Sequence, residues 1–379
     1  MGNLTGKQRY GQPVMKILQV VNSLEIGGMQ RFVLDLSQEL AKRHEVCLCT
    51  LYGRDHDGLP CVDPKFERVA LEKHPGLDLG AMWKLRRLVH RRKFDIVHTH
   101  MMALLYAAPA VLGEHLKKRC VHTLHSVANH ECNEIDWLKR ILYGRYVVPV
   151  SISDEVLTSL HVRWPKVDSP LIYNGAEKPA PVSTTDSVAN MLKRYKKTSQ
   201  TRVCVNLASI DDNKNQSLLN EVAARLEKER ADVVFLVAGN VRDRQYHQEI
   251  LARKAGNLHF VGSVRDVGSL LEQADFFCLP SKYEGLPISL LEAMSCGCLP
   301  VCTPVSGVRS VLRSGENGLV AKDFSADAYA EILRRALNLT PDESRRMRQQ
   351  AVEDYRARYS MEICAKHYEE LYAKLCRKS

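Results

Sequence analysis

Two carboxylates, Glu284 and Glu292, bracket the segment whose residue types and spacing point most directly to chemistry: Glu284-Gly285-Leu286-Pro287-Ile288-Ser289-Leu290-Leu291-Glu292. Pro287 suits the first turn of a helix and disfavours helix at Leu286 before it. Glu284 is therefore expected in the loop that leads in, and Glu292 well inside the helix. Main-chain N–H groups around residues 286–289, at the positive end of the helix dipole, make a ready site for an anion. Glu292 stands between Leu291 and Ala293 on an otherwise apolar element. A carboxylate there needs a partner, and a pair of sugar hydroxyls would serve. Another reading stays open, because Ser281-Lys282-Tyr283-Glu284 has capping-box spacing and can simply start a helix. Gly285 and Pro287 argue against it.

A second constellation is Asn206-Leu207-Ala208-Ser209-Ile210-Asp211-Asp212-Asn213-Lys214-Asn215, a strand running into a polar loop with Lys214 before a helix start. Ligands of open α/β sheets bind at such strand ends, although a lone lysine there is more often merely solvated. A third is Ser23-Leu24-Glu25-Ile26-Gly27-Gly28, where paired glycines permit close approach of a ligand or just a tight turn. It is neither G-x-G-x-x-G nor a P-loop, so the nicotinamide and ATPase fingerprints are missing. His98 and His100 flank Thr99, and His122 and His125 follow near another strand end. No fixed carboxylate pattern accompanies them, which favours a polar sugar contact over a metal site.

These residues need elements to hold them. Strand-like runs at 15–21, 46–51, 94–98, 120–124 and 147–150 alternate with helical periodicity at 29–43, 81–92, 101–113 and 153–160. That is a parallel, Rossmann-like sheet flanked by helices. After Asn174-Gly175 the composition turns Pro- and Ser/Thr-rich, and 176–200 reads as a linker region. The pattern then restarts, with strands at 203–207, 233–238, 258–261, 275–279 and 299–302. Its helices fall at 216–230, 244–254, 287–294 and 326–337. Helices near 342–359 and 361–378 close the chain. The expected division is a tail at 1–14, an N-terminal domain at 15–175, a C-terminal domain at 201–358 and a closing segment at 359–379. Two α/β domains imply a cleft between them as the ligand site.

Composition excludes several classes. No run approaches the 18 or so apolar residues of a membrane span, and the polar segment 1–14 lacks the apolar core of a signal peptide. Met1-Gly2 fails as a myristoylation signal because Gly6 stands where Ser or Thr is required. Twelve cysteines occur with no CxxC pair and no zinc spacing. Several, such as Cys278, lie in apolar runs, so reduced thiols in a cytoplasmic protein are expected. The net charge of +10 suits an anionic partner. Its densest run is Lys84, Arg86, Arg87, Arg91, Arg92 and Lys93, interleaved with Trp83, Leu85, Leu88 and Val89. That amphipathic helix is either a solvated face or a peripheral contact with an acidic membrane surface.

Taken together, the segments resemble glycosyltransferase family 4, the retaining GT-B enzymes of the glycosyl transferases group 1, over almost the whole chain. The most specific match is E-x7-E, here Glu284 to Glu292, followed by Ala293-Met294-Ser295-Cys296-Gly297. Ala274-Asp275-Phe276-Phe277-Cys278-Leu279-Pro280-Ser281 looks like the strand before that motif, and Ile172-Tyr173-Asn174-Gly175 like the family's N-G segment. Asp95-Ile96-Val97-His98-Thr99-His100 and Val150-Ser151-Ile152-Ser153 match N-domain segments. The resemblance implies two Rossmann-like domains facing a cleft, with the last helix returning to the N-terminal domain. It implies a nucleotide diphosphate sugar as donor substrate, no cofactor and no catalytic metal. Glu292 would hold ribose hydroxyls, Glu284 the donor sugar, and Lys214 the diphosphate, with Gly28 approaching it and Leu286, Pro287 and Ile288 at the helix start. His125 would touch the sugar near the reacting carbon, and Gly262 to Arg265 would lie by the base. The acceptor would be a saccharide or a polyprenyl- or other lipid-linked sugar.

One position departs from the family pattern. Ser209 stands where an arginine usually precedes the lysine, and an unreplaced cationic donor is worth roughly 2–4 kcal/mol by analogy with oxyanion-hole deletions. Arg202 and Arg265 are the neighbouring candidates to compensate. Ser209 motivates the alternative of a catalytically weak or inactive sugar-nucleotide-binding protein. A GT-B epimerase or phosphorylase is a further enzyme reading. Nucleic-acid binding ranks last, since no recognised module accompanies the charge.

Overall fold

The computed structural model describes residues 13–25, 27–53, 64–113, 116, 118–128, 131, 133–180, 186–230 and 232–377. Residues 1–12 of the expected tail lie outside them. The described chain divides into two compact units, one of residues up to Gly175 with those from Met361 on, the other Ala176–Ser360.

The first unit runs β1 (Lys16–Val21), α1 (Gly28–Leu40), β2 (Glu45–Thr50), β3 (Glu67–Ala70), α2 (Leu79–Arg92), β4 (Ile96–His100) and α3 (Ala103–Gly113). It continues through β5 (Cys120–Leu124), α4 (Asp136–Leu142), β6 (Val147–Ser151) and α5 (Asp154–Arg163). The second holds α6 (Asp186–Tyr195), β7 (Arg202–Leu207), α7 (Gln216–Glu229), β8 (Val233–Ala238), α8 (Arg244–Ala252), β9 (Leu258–Gly262) and α9 (Val267–Gln273). Then come β10 (Phe276–Leu279), α10 (Ile288–Ser295), β11 (Leu299–Cys302), α11 (Ser306–Arg309), β12 (Leu319–Val320), α12 (Ala326–Leu337) and α13 (Pro341–Asp354). A single π turn, Tyr355–Tyr359, leads to α14 (Met361–Arg377), which belongs to the first unit. Residues 176–200 lie in the second unit and carry α6.

Every strand among the described residues pairs in parallel. The first sheet is ordered β3-β2-β1-β4-β5-β6, and the second, read from its far edge, β9-β8-β7-β10-β11-β12. The two orders are the same Rossmann order, as the repeating sequence pattern predicts. The strands are apolar runs because helices cover both faces; all six residues of β8, Val-Val-Phe-Leu-Val-Ala, are buried. Helix starts are set by side chains that satisfy first-turn N–H groups. Ser153 accepts from Val156, Asp243 from Tyr246, and Thr340 forms a capping box with Glu343 around Pro341. The strands β3 and β12 and the helices α4, α6, α9 and α11 are additions to the sequence pattern. Most are too short to show a period.

The last helix does return to the first unit, where α14 packs on α1. Arg43 Nε, just past α1, meets Glu369 of α14 at 2.8 Å, and His44 Nε2 lies 3.3 Å from the same carboxylate. Tyr368 and Tyr372 are fully buried. Tyr372 Oη lies 2.7 Å from His98 Nδ1, and Tyr368 Oη lies 2.8 Å from Thr123 Oγ1. Tyr372→Phe keeps the ring but leaves His98 Nδ1 without that partner, a loss of about 1–3 kcal/mol. All three tryptophans, Trp83, Trp137 and Trp164, belong to the first unit. A urea titration followed by their fluorescence should show the midpoint fall in the Tyr372→Phe protein, and an unchanged midpoint would contradict the assigned bond.

Candidate active site

In a sheet of this order the crevice opens where the chain leaves two adjacent strands in opposite directions. In the second unit that point lies between β7 and β10. The loops after those strands carry Lys214 and Glu284, which are 70 residues apart in sequence. Asn213 laces the two loops. Its carbonyl accepts the N–H of Lys282 at 2.8 Å, its Oδ1 that of Tyr283 at 3.2 Å, and its Nδ2 donates to the Tyr283 carbonyl at 3.2 Å. Asn215 Nδ2 donates to the Pro280 carbonyl at 3.2 Å, and Lys282 Nζ to Asp212 Oδ1 at 2.6 Å.

This lacing brings Lys214 Nζ within 2.7 Å of Glu284 Oε1, with side chains 24% and 10% exposed. Ser281 Oγ donates to the same oxygen at 2.7 Å. Ser281 and Glu284 thus meet side chain to side chain in a loop, not as a helix-starting box. Two glycines make room around the loops. At Gly307, in α11, an added Cβ would lie 2.3 Å from the Gly285 carbonyl oxygen. At Gly239, after β8, φ is +156° and a Cβ would lie 1.9 Å from the Ala208 carbonyl oxygen.

Pro287 is the N-cap of α10 rather than its first helical residue, with no side-chain cap. Leu286 stands before it and Ile288 opens the helix. The first-turn N–H groups of such a start are directed out of its end. Glu292 lies inside α10 and is half-buried. Ser209 Oγ donates to Asp211 Oδ2 at 2.6 Å, and the N–H of Lys214 donates to Asp211 Oδ1 at 3.0 Å. Arg202 starts β7 and pairs with Asp275 at 2.8 Å. That is the opposite end of the strand, about 17 Å away at the usual rise, so Arg202 cannot replace the missing arginine. Arg265 is exposed in the loop between β9 and α9.

Gly28 and His125 belong to the first unit. Gly28 opens α1, and Gly27 before it is extended at φ −177°, so the described backbone there does not demand glycine; Ile26 lies outside the described residues. His98 and His100 point to the face of the sheet covered by α14 and α1, while His122 points to the other. Because the strand alternates faces, the four histidines do not converge on one point. Instead they bond in chains. His98 Nε2 lies 2.7 Å from Thr123 Oγ1, and His122 Nδ1 lies 2.9 Å from Thr99 Oγ1. His100 links Gln19 Oε1 (Nε2, 2.9 Å) to His125 Nε2 (Nδ1, 2.9 Å). With Gln19 Oε1 accepting, His100 carries its proton on Nε2 and receives one from His125 Nε2. His125 Nδ1 is then a lone pair at the end of β5.

Burial pushes His98, His100 and His122 well below the usual imidazole range, and His125 to about 3. Phe32 meets the His125 ring at 5.6 Å between centroids. Sequence reasoning missed Ser281 and Asn213 as organisers of the Lys214–Glu284 pair. It also missed Gln19, Glu131 and Lys139 beneath the histidines. Asn213 lies in the polar loop after β7, but contacts between loops carry no periodic signal.

Two family models match the chain in succession, Glycosyltransferase Family 4 over residues 26–177 and Glycosyl transferases group 1 over residues 188–354. N-acetyl-α-D-glucosaminyl L-malate synthase of Bacillus anthracis is 25% identical over 93% of this chain and 95% of its own length. The capsular polysaccharide biosynthesis glycosyltransferase CapH of Staphylococcus aureus is 24% identical over 77% and 82%. The UDP-Gal:α-D-GlcNAc-diphosphoundecaprenol α-1,3-galactosyltransferase of Escherichia coli is 24% identical over 68% and 70%. Among solved structures, a glycosyltransferase from Rickettsia africae aligns with a TM-score of 0.80 at 18% identity, covering 98% of this chain and 100% of its own. Anabaena HepE in complex with UDP-glucose aligns at 0.77 and 17%, covering 95% and 100%.

The buried histidines fix the sign of a pH response. Their pKa values are depressed on folding, so the stability they contribute is present above the unfolded value near 6.5 and is lost as pH falls below it. Each of the three fully buried rings, His98, His100 and His122, costs about 1.4 kcal/mol per pH unit in that window. Glu131, raised from 4.5 to about 7 by burial, acts in the opposite sense between those values, but it is one group against three. Tryptophan-monitored urea midpoints should therefore fall from pH 7.5 to pH 5.5, and a midpoint that holds or rises would refute the neutral, buried assignment.

Proposed function

The chain belongs to glycosyltransferase family 4, with the GT-B fold, and on that premise we propose that it is a retaining hexosyltransferase that works without a metal. It moves a sugar from a nucleotide diphosphate sugar to a saccharide or lipid-linked acceptor in the synthesis of a cell-surface polysaccharide or glycolipid. The observation that carries this reading is the Lys214–Glu284 pair, set at the β7/β10 crevice beside the start of α10. Departure of a nucleoside diphosphate develops negative charge that must be stabilised where it forms. Lys214 supplies a mostly buried ammonium there, and the first-turn amides of α10 supply aligned dipoles. Glu284, which neutralises Lys214 in the structure, is assigned to the hydroxyls of the donor sugar, and Glu292 to those of the ribose. Gly28, Arg265 and His125 are assigned on the family resemblance: Gly28 to the diphosphate, Arg265 to the neighbourhood of the base, and His125 to the sugar.

The acceptor class and the setting rest on relatives and on α2. The E. coli relative is named for a diphosphoundecaprenol acceptor, and HepE was solved with UDP-glucose. No helix among the described residues is long and apolar enough to cross a membrane. On α2, Leu79 and Trp83 are 69% and 60% exposed, with Arg87 stacked on the Trp83 ring at 5.1 Å. Arg86, Arg91 and Lys93 are exposed, while Lys84 donates to the Leu71 carbonyl and Arg92 pairs with Glu67. We assign this face to the anionic inner surface of the cytoplasmic membrane, with the enzyme cytoplasmic and peripheral. Nucleic acid is not assigned as a partner. Ser209 motivates the second reading, a donor-binding protein with weak or no turnover.

A panel of nucleotide sugars tested by thermal shift in EDTA, on wild type and Glu292→Ala, separates these readings. A donor at ~100-fold excess over Kd adds about 2.7 kcal/mol. One donor should raise Tm in the wild type and fail to do so in Glu292→Ala. Binding with neither transfer nor hydrolysis of that donor would favour the second reading, and no shift with any donor would count against both. For the membrane face, flotation with phosphatidylglycerol vesicles at low salt should carry the wild type and lose the Arg91→Glu/Lys93→Glu protein, since each basic residue near such a surface is worth about 1 kcal/mol. Wild type that stays at the bottom removes the membrane contact.

A further inference from the structure

The turn that follows β5 is held by a carboxylate to which the transfer reaction assigns no role. Glu131 is fully buried, and its Oε2 accepts the main-chain N–H of His125 at 3.1 Å. The N–H of Ser126 reaches the same carboxylate. Two residues on, the N–H of Ala128 donates to Ser159 Oγ of α5 at 2.9 Å. Glu131 is held in turn by Lys139 of α4, itself fully buried, whose ammonium donates to the Glu131 main-chain carbonyl. Lys139 lies 3.8 Å from Asp136, and Asp136 pairs with Arg163 at the end of α5. The His125 ring is tied separately, through Nε2 to His100 and from there to Gln19. Main chain and ring of one residue are therefore gripped by independent sets of bonds.

Burying a carboxylate is costly unless the group is hydrogen-bonded. Glu131 Oε1 has no hydrogen-bond partner among the described residues, so the penalty is not fully offset within the fold. Burial pushes the carboxyl up to about 7, against the pull of Lys139 and the two N–H groups. Packing alone would be served as well by glutamine or methionine. What Glu131 does in the fold is accept two consecutive amides of the turn that carries His125, bonds that an ionised acceptor makes roughly twice as strong as a neutral one.

Resting on the assignment of His125 to the donor sugar, we infer that Glu131, backed by Lys139, is a positioning residue for the transfer, fixing the main chain at His125 and Ser126 so that the imidazole is presented in one orientation. A catalytic group displaced by about 1 Å loses rate by about 10²-fold. Such a displacement acts on the chemical step more than on donor affinity.

The test uses the full chain with Glu131→Gln, Lys139→Met, His125→Asn and the Glu131→Gln/His125→Asn double variant. Release of nucleoside diphosphate is followed with UDP-glucose, UDP-galactose, UDP-N-acetylglucosamine and GDP-mannose, and amide exchange is read at His125 and Ser126. Glu131→Gln should lower kcat by 10-fold or more with KM for the donor within about twofold, and Lys139→Met should lower it in the same direction by less. The double variant should match His125→Asn within about twofold, because Glu131 acts through a ring that is no longer there. Losses that multiply, or a Glu131→Gln protein as fast as wild type beside an impaired His125→Asn, overturn the inference. Wild-type rates in His125→Asn would sink the assignment of His125 instead. The exchange readout needs no donor: faster exchange at both amides in Glu131→Gln, with the tryptophan-monitored midpoint retained, supports the clamp, and unchanged exchange overturns it.

Discussion

Parallel pairing of every strand is the constraint on which the rest of this molecule depends. A parallel strand cannot turn back into its neighbour, so each connection crosses the sheet as a helix and buries both faces. All strand carboxyl ends then fall on one edge of each sheet, and polar loops collect there. At the β7/β10 switch point the two departing loops carry the Lys214 ammonium, the Glu284 carboxylate and the start of α10. The same order in the first unit puts Gln19 on β1 beside His98 on β4, with His100 one turn of the pleat further on. The chemistry-bearing residues are where they are because the topology leaves them no other edge.

That arrangement places four imidazoles and two hydroxyls within or beside a core, which is tolerable only if the polar groups satisfy one another. His98 and His100 have both nitrogens engaged and cost far less neutral than charged, whereas His122 Nε2 finds no hydrogen-bond partner among the described residues. Tyr368 and Tyr372 provide hydroxyls from the closing helix to Thr123 and His98. The long return of the chain to the first unit is therefore part of the polar accounting of that unit as well as of its packing. It also explains why the closing helix carries two fully buried tyrosines where leucine would otherwise serve.

Much of this was legible in the sequence, for identifiable reasons. Strands buried on both faces read as apolar runs, as β8 does, and the repeated alternation of such runs with helical periods betrays the two sheets. Pro287 marked the start of α10 to within one residue because its ring fixes the backbone before it. The Lys214–Glu284 contact was not legible as a bond, since it depends on Asn213 lacing two loops that are distant in sequence. Glu131 carried no signal at all: it sits in an aperiodic loop, and only burial distinguishes it from any surface glutamate. The paired glycines at 27–28 suggested a backbone need that the extended Gly27 does not show. Short elements such as α4 and β12 escaped because fewer than two turns, or two residues of strand, establish no period.

The replacement of the usual arginine by Ser209 has a structural consequence that bears on how the leaving charge is held. Ser209 Oγ donates to Asp211, and the other oxygen of Asp211 accepts the N–H of Lys214. The position that would present a cation instead orients an acid that caps the turn carrying the lysine. Arg202 is committed to Asp275 at the far end of β7, and Arg265 is exposed beyond the edge strand β9. In the proposed transfer, that leaves Lys214 and the first-turn amides of α10 as the groups assigned to a departing diphosphate. The Lys214 ammonium is mostly buried and paired with Glu284, so its interactions are less screened than those of a surface pair. Its placement becomes correspondingly critical. The Asn213 lacing and the Asp211 turn fix that placement.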